Sequence, residues 1–346
     1  MTQNVNVGLI GCGRIASLVY LNFLSKIPGL RLAAIAEPDA VRREKAGVSA
    51  PGAALHTDYK ELLREPDISA VIICLPNHLH SEAAVAAFEY GKHVYLEKPI
   101  AINSTQAEEV VRTWKKSGLA GMAGFNLRFN PVYRALREDI GSGAIGDAVF
   151  MRTVFTSSGR ELPEWKKLRS TGGGALLDLA SHHIDLVRFI LNDEITQIFA
   201  RTSSHRTEDD NAMLEYKTSG GIHVQSYFSI NSVDEDKIKV YGTGGKLTAD
   251  RYGSLNVRIE SGESARRGRL SYLKQAARSL LRNPVSFKDK LLCPGKEPSF
   301  ETAIGHFASA VRENRGVSPD LSDGLRCITI LEAAEESARS GRMISL

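Results

Sequence analysis

Two hydrophobic periods divide this chain. Over the first 125 residues, short continuous apolar runs alternate with stretches whose apolar residues recur at helical spacing. The runs at 5–10, 30–36, 70–75, 93–96 and 120–125, with a brief one at 55–57, predict strands covered on both faces. Between them, 15–27, 59–64, 81–90 and 104–116 predict helices. Strand and helix alternating with short links is the pattern of βαβ units, and right-handed crossovers turn it into a doubly wound parallel sheet. After about residue 145 the pattern changes. Strand candidates follow one another at 148–156, 195–203, 212–218, 222–230, 237–241 and 246–249. Several show the two-residue alternation of a half-exposed sheet, and Gly220-Gly221 and Gly244-Gly245 read as hairpin turns. One helix, 175–191, interrupts them. Two more close the chain at 301–314 and 322–340, with Asp320 or Ser322 as cap. The expectation is an α/β domain over 1–125 and an α+β domain over 126–346 with a large, open, mostly antiparallel sheet.

Composition narrows the class without changing that picture. At 346 residues the chain suits two domains, and 42% apolar with 24% charged residues is ordinary for a globular protein. A net charge of +4 gives no reason to invoke nucleic acid. Cys12, Cys74, Cys293 and Cys327 form no CxxC pair and read as reduced thiols, so the expected location is cytoplasmic. The N-terminus shows no secretory pattern, and no apolar run approaches the roughly 18 residues that cross a bilayer.

The chemistry begins at Gly11-Cys12-Gly13-Arg14-Ile15-Ala16, a GxGxxA sequence between the first strand and the first helix. The first glycine permits a tight turn, the second lets backbone approach a pyrophosphate, and Ala16 lets helix and strand pack closely. The helix N-terminus offers N–H groups and a positive dipole end to phosphates. The second strand ends in Glu37, where a carboxylate bonds a ribose 2′-hydroxyl and repels a 2′-phosphate. This favours NAD over NADP, although Arg42 and Arg43 close by soften the repulsion.

Three further motifs follow in order: Pro76-Asn77-His78-Leu79-His80, then Glu97-Lys98-Pro99 at the end of the fifth strand, then Gly172-Gly173-Gly174 with Asp178 and His182. Together with the glycine loop and the stretch Asp323-Gly324 … Ala334 … Ser337 … Gly341, they resemble the glucose–fructose oxidoreductase / inositol dehydrogenase / rhizopine-catabolism (Gfo/Idh/MocA) family over nearly the whole chain. The resemblance implies an N-terminal Rossmann domain and a C-terminal domain whose sheet mediates a homodimer or homotetramer. It implies an NAD(P)-dependent oxidoreductase acting on a carbinol or keto carbon of a sugar, cyclic polyol or nucleotide sugar. Cofactor contacts would come from Gly11, Gly13, Arg14, Ile15, Glu37, Pro76, Asn77, His80, Glu97 and Lys98. Lys98, Asp178 and His182 would carry catalysis. Pro99 would follow a cis peptide.

The residue chemistry agrees. Oxidation of a carbinol needs a base for the hydroxyl proton and a cation or donor for negative charge on oxygen. Histidine suits the first, and lysine at the carboxyl end of a parallel strand suits the second. Asp178 and His182, four apart, share a helix face. Asn126 and Arg128 after the sixth strand, and Trp165 and Arg169 in the polar stretch before the glycine run, are substrate candidates. So is His183, for packing or substrate contact. His78 and His80 lack a third partner, so no metal is expected. Residues 264–292 hold eight cations against one acid, with leucines at helical spacing. This basic amphipathic stretch could cover the sheet or a neighbouring subunit, or make a peripheral membrane contact. Two other functions fit the resemblance: a redox-neutral, NAD-assisted glycosidase and a non-catalytic dinucleotide-binding regulator.

Overall fold

The computed structural model describes residues 4–159, 161–254, 256–261 and 297–346. The basic stretch 264–292 and Cys293 lie outside them. The chain forms two compact units. The first comprises Met1–Asn126, Ser170–Gly172 and Phe300–Thr329; the second comprises Leu127–Arg169, Gly173–Ser299 and Ile330–Leu346.

The first unit is a Rossmann-type domain. Strands β1 (Val5–Ile10), β2 (Leu30–Ala36), β3 (Ala54–His56), β4 (Ala70–Ile73), β5 (His93–Leu96) and β6 (Gly121–Ala123) pair in parallel in the order β3-β2-β1-β4-β5-β6. The order reverses beside β1, the place where such sheets bind ligands beyond their carboxyl ends. Every residue of β4 is buried, as its unbroken apolar run requires. Helices α2 (Ala40–Ser49), α3 (Tyr59–Arg64), α4 (His80–Glu89) and α5 (Ser104–Ser117) follow β2 to β5 in turn. Asp39, Asp58 and Asn103 cap α2, α3 and α5 by accepting backbone N–H groups.

The helix expected over 15–27 is instead broken. A single α-turn, α1 (Arg14–Leu18), gives way to 3-10 turns at Tyr20–Asn22 and Leu24–Lys26. The Asn22 side chain donates to Leu18 O at 2.7 Å, taking the carbonyl that its own N–H would use in an α-helix. That N–H goes to Val19 O instead. The break lets Tyr20, Leu21, Phe23 and Leu24 all bury. Phe300 and Phe307, in the helix Ser299–Glu313, pack edge-on against Tyr20 and Tyr95 at 5.8 and 5.9 Å. Gly324 fits beneath Ile100, where a Cβ would come within 2.7 Å of its side chain. These contacts account for the membership of Phe300–Thr329 in the first unit.

The second unit carries an eight-stranded sheet. Strands β7 (Ala148–Thr156), β8 (Ile195–Ser203), β9 (Asn211–Thr218), β10 (His223–Ser229), β11 (Glu235–Gly242), β12 (Gly245–Asp250), β13 (Arg258–Ser261) and β14 (Ile344–Ser345) take the order β13-β12-β11-β7-β10-β9-β8-β14. Only β7 and β10 pair in parallel; the other neighbours are antiparallel. Both expected hairpins are present, joining β9 to β10 and β11 to β12. The alternation has its expected consequence: Leu214, Tyr216, Val224, Phe228, Ile238, Val240 and Leu247 are buried, whereas Met213, Glu215, Lys217, Gln225 and Tyr227 face outward. Helices α6 (Pro131–Gly141) and α7 (Ser181–Leu191) pack together. Asn130 caps α6 and Pro131 takes its first position, a start signal that periodicity alone misses.

Candidate active site

In the first unit the glycine loop closes against Cys74. Gly11 has φ +89°, and a Cβ there would sit 2.8 Å from Cys74 O, so only glycine fits. A Cβ on Gly13 would meet nothing within 4 Å, so the outer side of the loop is open. Arg14 is exposed and Ile15 half-buried at the start of α1. Cys12 is buried, and burial followed by the charge of Glu37 pushes its thiol up to about 12, leaving the loop without a thiolate.

Glu37 sits where the strand pattern placed it, immediately after β2, and its carboxylate is well held. Oε2 accepts from Cys12 N–H at 2.7 Å, and Oε1 accepts from Asp39 N–H at 3.0 Å and Arg42 Nη2 at 2.8 Å. Arg43 donates to the carbonyl oxygens of Glu37 and Pro38 at 2.7 and 3.1 Å. The two arginines are thus tied to the acid and its backbone. The residues present fit a dinucleotide: an open glycine loop, a strand-end carboxylate beside it, and a sheet order that reverses there.

The segment after β4 is fixed from both ends. Pro76 precedes a 3-10 turn at Asn77–Leu79. Asn77 Nδ2 donates to Gly172 O at 2.8 Å, and a Cβ at Gly172 would overlap Asn77. His80 is buried, with its ring nitrogens 2.7 Å from Pro99 O and 2.8 Å from Leu75 O. Burial lowers its pKa, against the two carbonyls and with help from the positive charge of Lys98. This histidine therefore links the Pro76 loop to the strand end carrying Lys98. Glu97 is buried as well; it accepts from Tyr20 O–H and from Lys98 N–H. Lys98 is half-buried, and the Lys98–Pro99 peptide is cis, as expected.

In the second unit, the stretch expected as one helix over 175–191 begins with a π-helical turn at Leu176–Ala180 and continues as α7. Asp178 lies in the wide turn and His182 in the first turn of α7. In a π turn the four-residue step no longer overshoots a full rotation as it does in an α-helix. His182 is half-buried and packs on Phe155 at 6.0 Å. Asp178 Oδ1 accepts from Lys166 Nζ at 2.8 Å. Nothing in the sequence pairs Lys166 with Asp178, because no spacing rule links a loop lysine to a helix twelve residues on.

Other candidates have partners of their own inside this unit. Arg128 forms a two-pronged bond to buried Asp185, Nε to Oδ2 at 2.8 Å and Nη2 to Oδ1 at 2.6 Å. Arg169 does the same with Glu335. Its N–H donates to Glu208 at 2.6 Å. Trp165 is half-buried, with Lys166 Nζ 5.4 Å from its ring centre. Asn126, which closes the first unit, is buried. His183 is fully buried, stacked on Phe155 at 5.3 Å, with Nε2 3.0 Å from Asp236 Oδ1. Asp236 also accepts from Tyr133 O–H and from Arg251 Nε, the latter at 2.6 Å. This network was invisible in the sequence, since its members come from four separate elements. Among the described residues no cluster has metal-ligating geometry.

Comparison with known proteins agrees with this architecture. The family described as "Oxidoreductase family, NAD-binding Rossmann fold" matches residues 5–125, and the GFO/IDH/MocA C-terminal domain matches residues 133–248. The chain is 27% identical to the oxidoreductase YrbE of Bacillus subtilis (strain 168), over 100% of this chain and 98% of that protein. It is 29% identical to the myo-inositol 2-dehydrogenase of Thermotoga maritima, over 78% and 82% of the two chains. Its fold superposes on the solved structure of a levoglucosan dehydrogenase in complex with NADH and levoglucosan with a TM-score of 0.81, at 23% identity and 99% coverage of both chains. The chain belongs to the Gfo/Idh/MocA family of oxidoreductases.

Proposed function

We propose that this protein is an NAD-dependent dehydrogenase, reversible as a ketoreductase, acting on a carbinol carbon of a sugar or cyclic polyol. The observation that carries the reading is Lys98: an ammonium at the carboxyl end of β5, an interior parallel strand, with its neighbour Glu97 held by Tyr20 and by the Lys98 backbone N–H. Relatives named as acting on myo-inositol and levoglucosan support the substrate class.

Gly11, Gly13, Arg14 and Ile15 would hold the pyrophosphate, and Glu37 the adenosine ribose. Pro76, Asn77, His80, Glu97 and Lys98 would shape the nicotinamide end. The cofactor supplies the hydride acceptor. His182 takes the hydroxyl proton as general base, Asp178 holds a substrate hydroxyl, and Lys98 steadies negative charge on the reacting oxygen. Trp165 and Asn126 contact substrate. Arg128, Arg169 and His183 act through the ion pairs and hydrogen bonds that fix the second unit. Glu37 disfavours a 2′-phosphate, so NAD is preferred.

The outward face of the eight-stranded sheet, where Met213 pairs across strands with Tyr227, is the proposed homo-oligomer contact. No helix among the described residues is long and apolar enough to cross a membrane, and Cys12, Cys74 and Cys327 are buried thiols outside any disulfide. We assign the protein to the cytoplasm. The test is absorbance at 340 nm with NAD+ or NADP+ against polyols, free sugars and nucleotide sugars. Rising absorbance with one group is expected; a flat trace throughout contradicts the reading.

A further inference from the structure

Gly173 leaves no room for a side chain. A Cβ there would stand 2.3 Å from Lys166 O and 2.8 Å from Leu168 O, and Gly173 N–H donates to Leu168 O at 2.8 Å. This close approach lays residues 166–168 along the glycine run and brings Lys166 Nζ to 2.8 Å from Asp178 Oδ1. The two side chains are 20% and 13% exposed, so both are sheltered yet reachable. The same ammonium lies beside the Trp165 ring. An ammonium has three N–H groups. Among the described residues Asp178 is the one acceptor that Lys166 Nζ meets, so two N–H groups remain for a ligand.

We propose that Lys166 is a specificity-determining residue, paired with Asp178 to bind two neighbouring hydroxyl groups of a neutral ring polyol. The proposal rests on the polyol reading given above and extends it to a residue outside the catalytic set. The carboxylate accepts from one hydroxyl and the ammonium donates to the oxygen of the next. Neighbouring ring hydroxyls hold their oxygens about one hydrogen-bond length apart, matching the separation of Lys166 Nζ and Asp178 Oδ1. An anionic substituent would meet the Asp178 carboxylate at the same spot, which disfavours sugar phosphates and uronates. Trp165 supplies an aromatic face against which the C–H side of a ring packs. A site whose polar groups are built for two hydroxyls rejects an analogue lacking one, because a sheltered polar group then loses its partner.

The test compares wild type, Lys166→Met and Lys166→Arg, with NAD+, on myo-inositol, trans-1,2-cyclohexanediol and cyclohexanol. Wild type is expected to favour the diol over the mono-ol in kcat/KM by about tenfold or more. That ratio should collapse to within about twofold in Lys166→Met and persist in Lys166→Arg. A loss that merely reflects misfolding lowers both substrates together and leaves the ratio intact, and an intact ratio overturns the proposal. A second readout needs no turnover. The chain has two tryptophans, Trp114 and Trp165, so in a Trp114→Phe background Trp165 fluorescence reports its own surroundings. Saturable quenching by myo-inositol, weakened about tenfold or more by Lys166→Met, is expected. Quenching of that kind without turnover keeps the subsite and removes the dehydrogenase reading. Turnover without Lys166-dependent selectivity keeps the dehydrogenase and overturns the subsite. Neither signal overturns both.

Discussion

The carboxylate of Glu37 accepts the backbone N–H of Cys12 at 2.7 Å, joining the end of β2 to the middle of the glycine loop. The acid proposed to read the ribose is thereby held against the loop proposed to cradle the pyrophosphate. Arg42 holds the other carboxylate oxygen at 2.8 Å. Removing the charge at position 37 would leave Arg42 without its partner and open to a 2′-phosphate. In Glu37→Gln the ratio of kcat/KM for NADP+ to that for NAD+ should rise roughly tenfold or more, about one unit charge interaction near a protein surface. Steady-state kinetics with both cofactors check this; an unchanged ratio shows that Glu37 does not choose between them.

Lys98 provides a sharper test of the chemistry. Replacing it by Met keeps the length and removes the ammonium, which should lower kcat by about 10² to 10⁴. Cofactor affinity, read by calorimetry, should change little. A kcat within a few-fold of wild type would take Lys98 out of the mechanism.

Asp236 makes a prediction about stability. Burial pushes its carboxyl up, but Arg251, His183 and Tyr133 outweigh burial and hold it below the ordinary carboxylate value. Because the folded-state value is the lower one, its contribution is present above the unfolded value of about 3.9 and is lost as pH falls through the folded value. Asp236→Asn leaves the buried guanidinium of Arg251 short of a charge partner. Urea unfolding at pH 7 should show a loss of about 3–5 kcal/mol, the usual cost of breaking a buried pair from one side. A loss under about 1 kcal/mol would mean the network is dispensable.

His93 governs a different pH range. Its Nδ1 accepts the Ala120 N–H at 2.9 Å, so the ring must be unprotonated there, and burial lowers its pKa. The stabilisation is complete above the unfolded value of about 6.5 and is lost as pH falls below it. Thermal melts from pH 7.5 to 5 should show a falling Tm in wild type and a shallower fall in His93→Asn. Parallel slopes would assign the acid sensitivity to other groups, beginning with buried His80.

The strands were the most legible part of the sequence, because β4 is an unbroken apolar run, β1 and β5 are nearly so, and β9 and most of β10 alternate between buried and exposed positions. Chemical motifs were legible where they are local: the glycine loop, Glu97-Lys98-Pro99, and Asp178 with His182. What escaped was the partner of each charged side chain. Lys166 with Asp178, Arg128 with Asp185, Arg169 with Glu335 and Arg251 with Asp236 join separate elements at spacings no period encodes. Periodicity also failed after α1, where one asparagine side chain competes successfully for a helix carbonyl. It could not foresee the π turn at Leu176–Ala180, which uses the same apolar pattern as an α-helix.

The most direct test of the account is isotopic. A polyol that the protein converts to product would be supplied with deuterium on the carbinol carbon, and the recovered cofactor examined by NMR. One deuterium on the nicotinamide ring per product molecule is predicted, with a primary isotope effect wherever hydride transfer limits the rate. Label that leaves the substrate without accumulating on the cofactor, or product formed with no net cofactor reduction, would contradict a dehydrogenase and point to a redox-neutral reaction in the same fold.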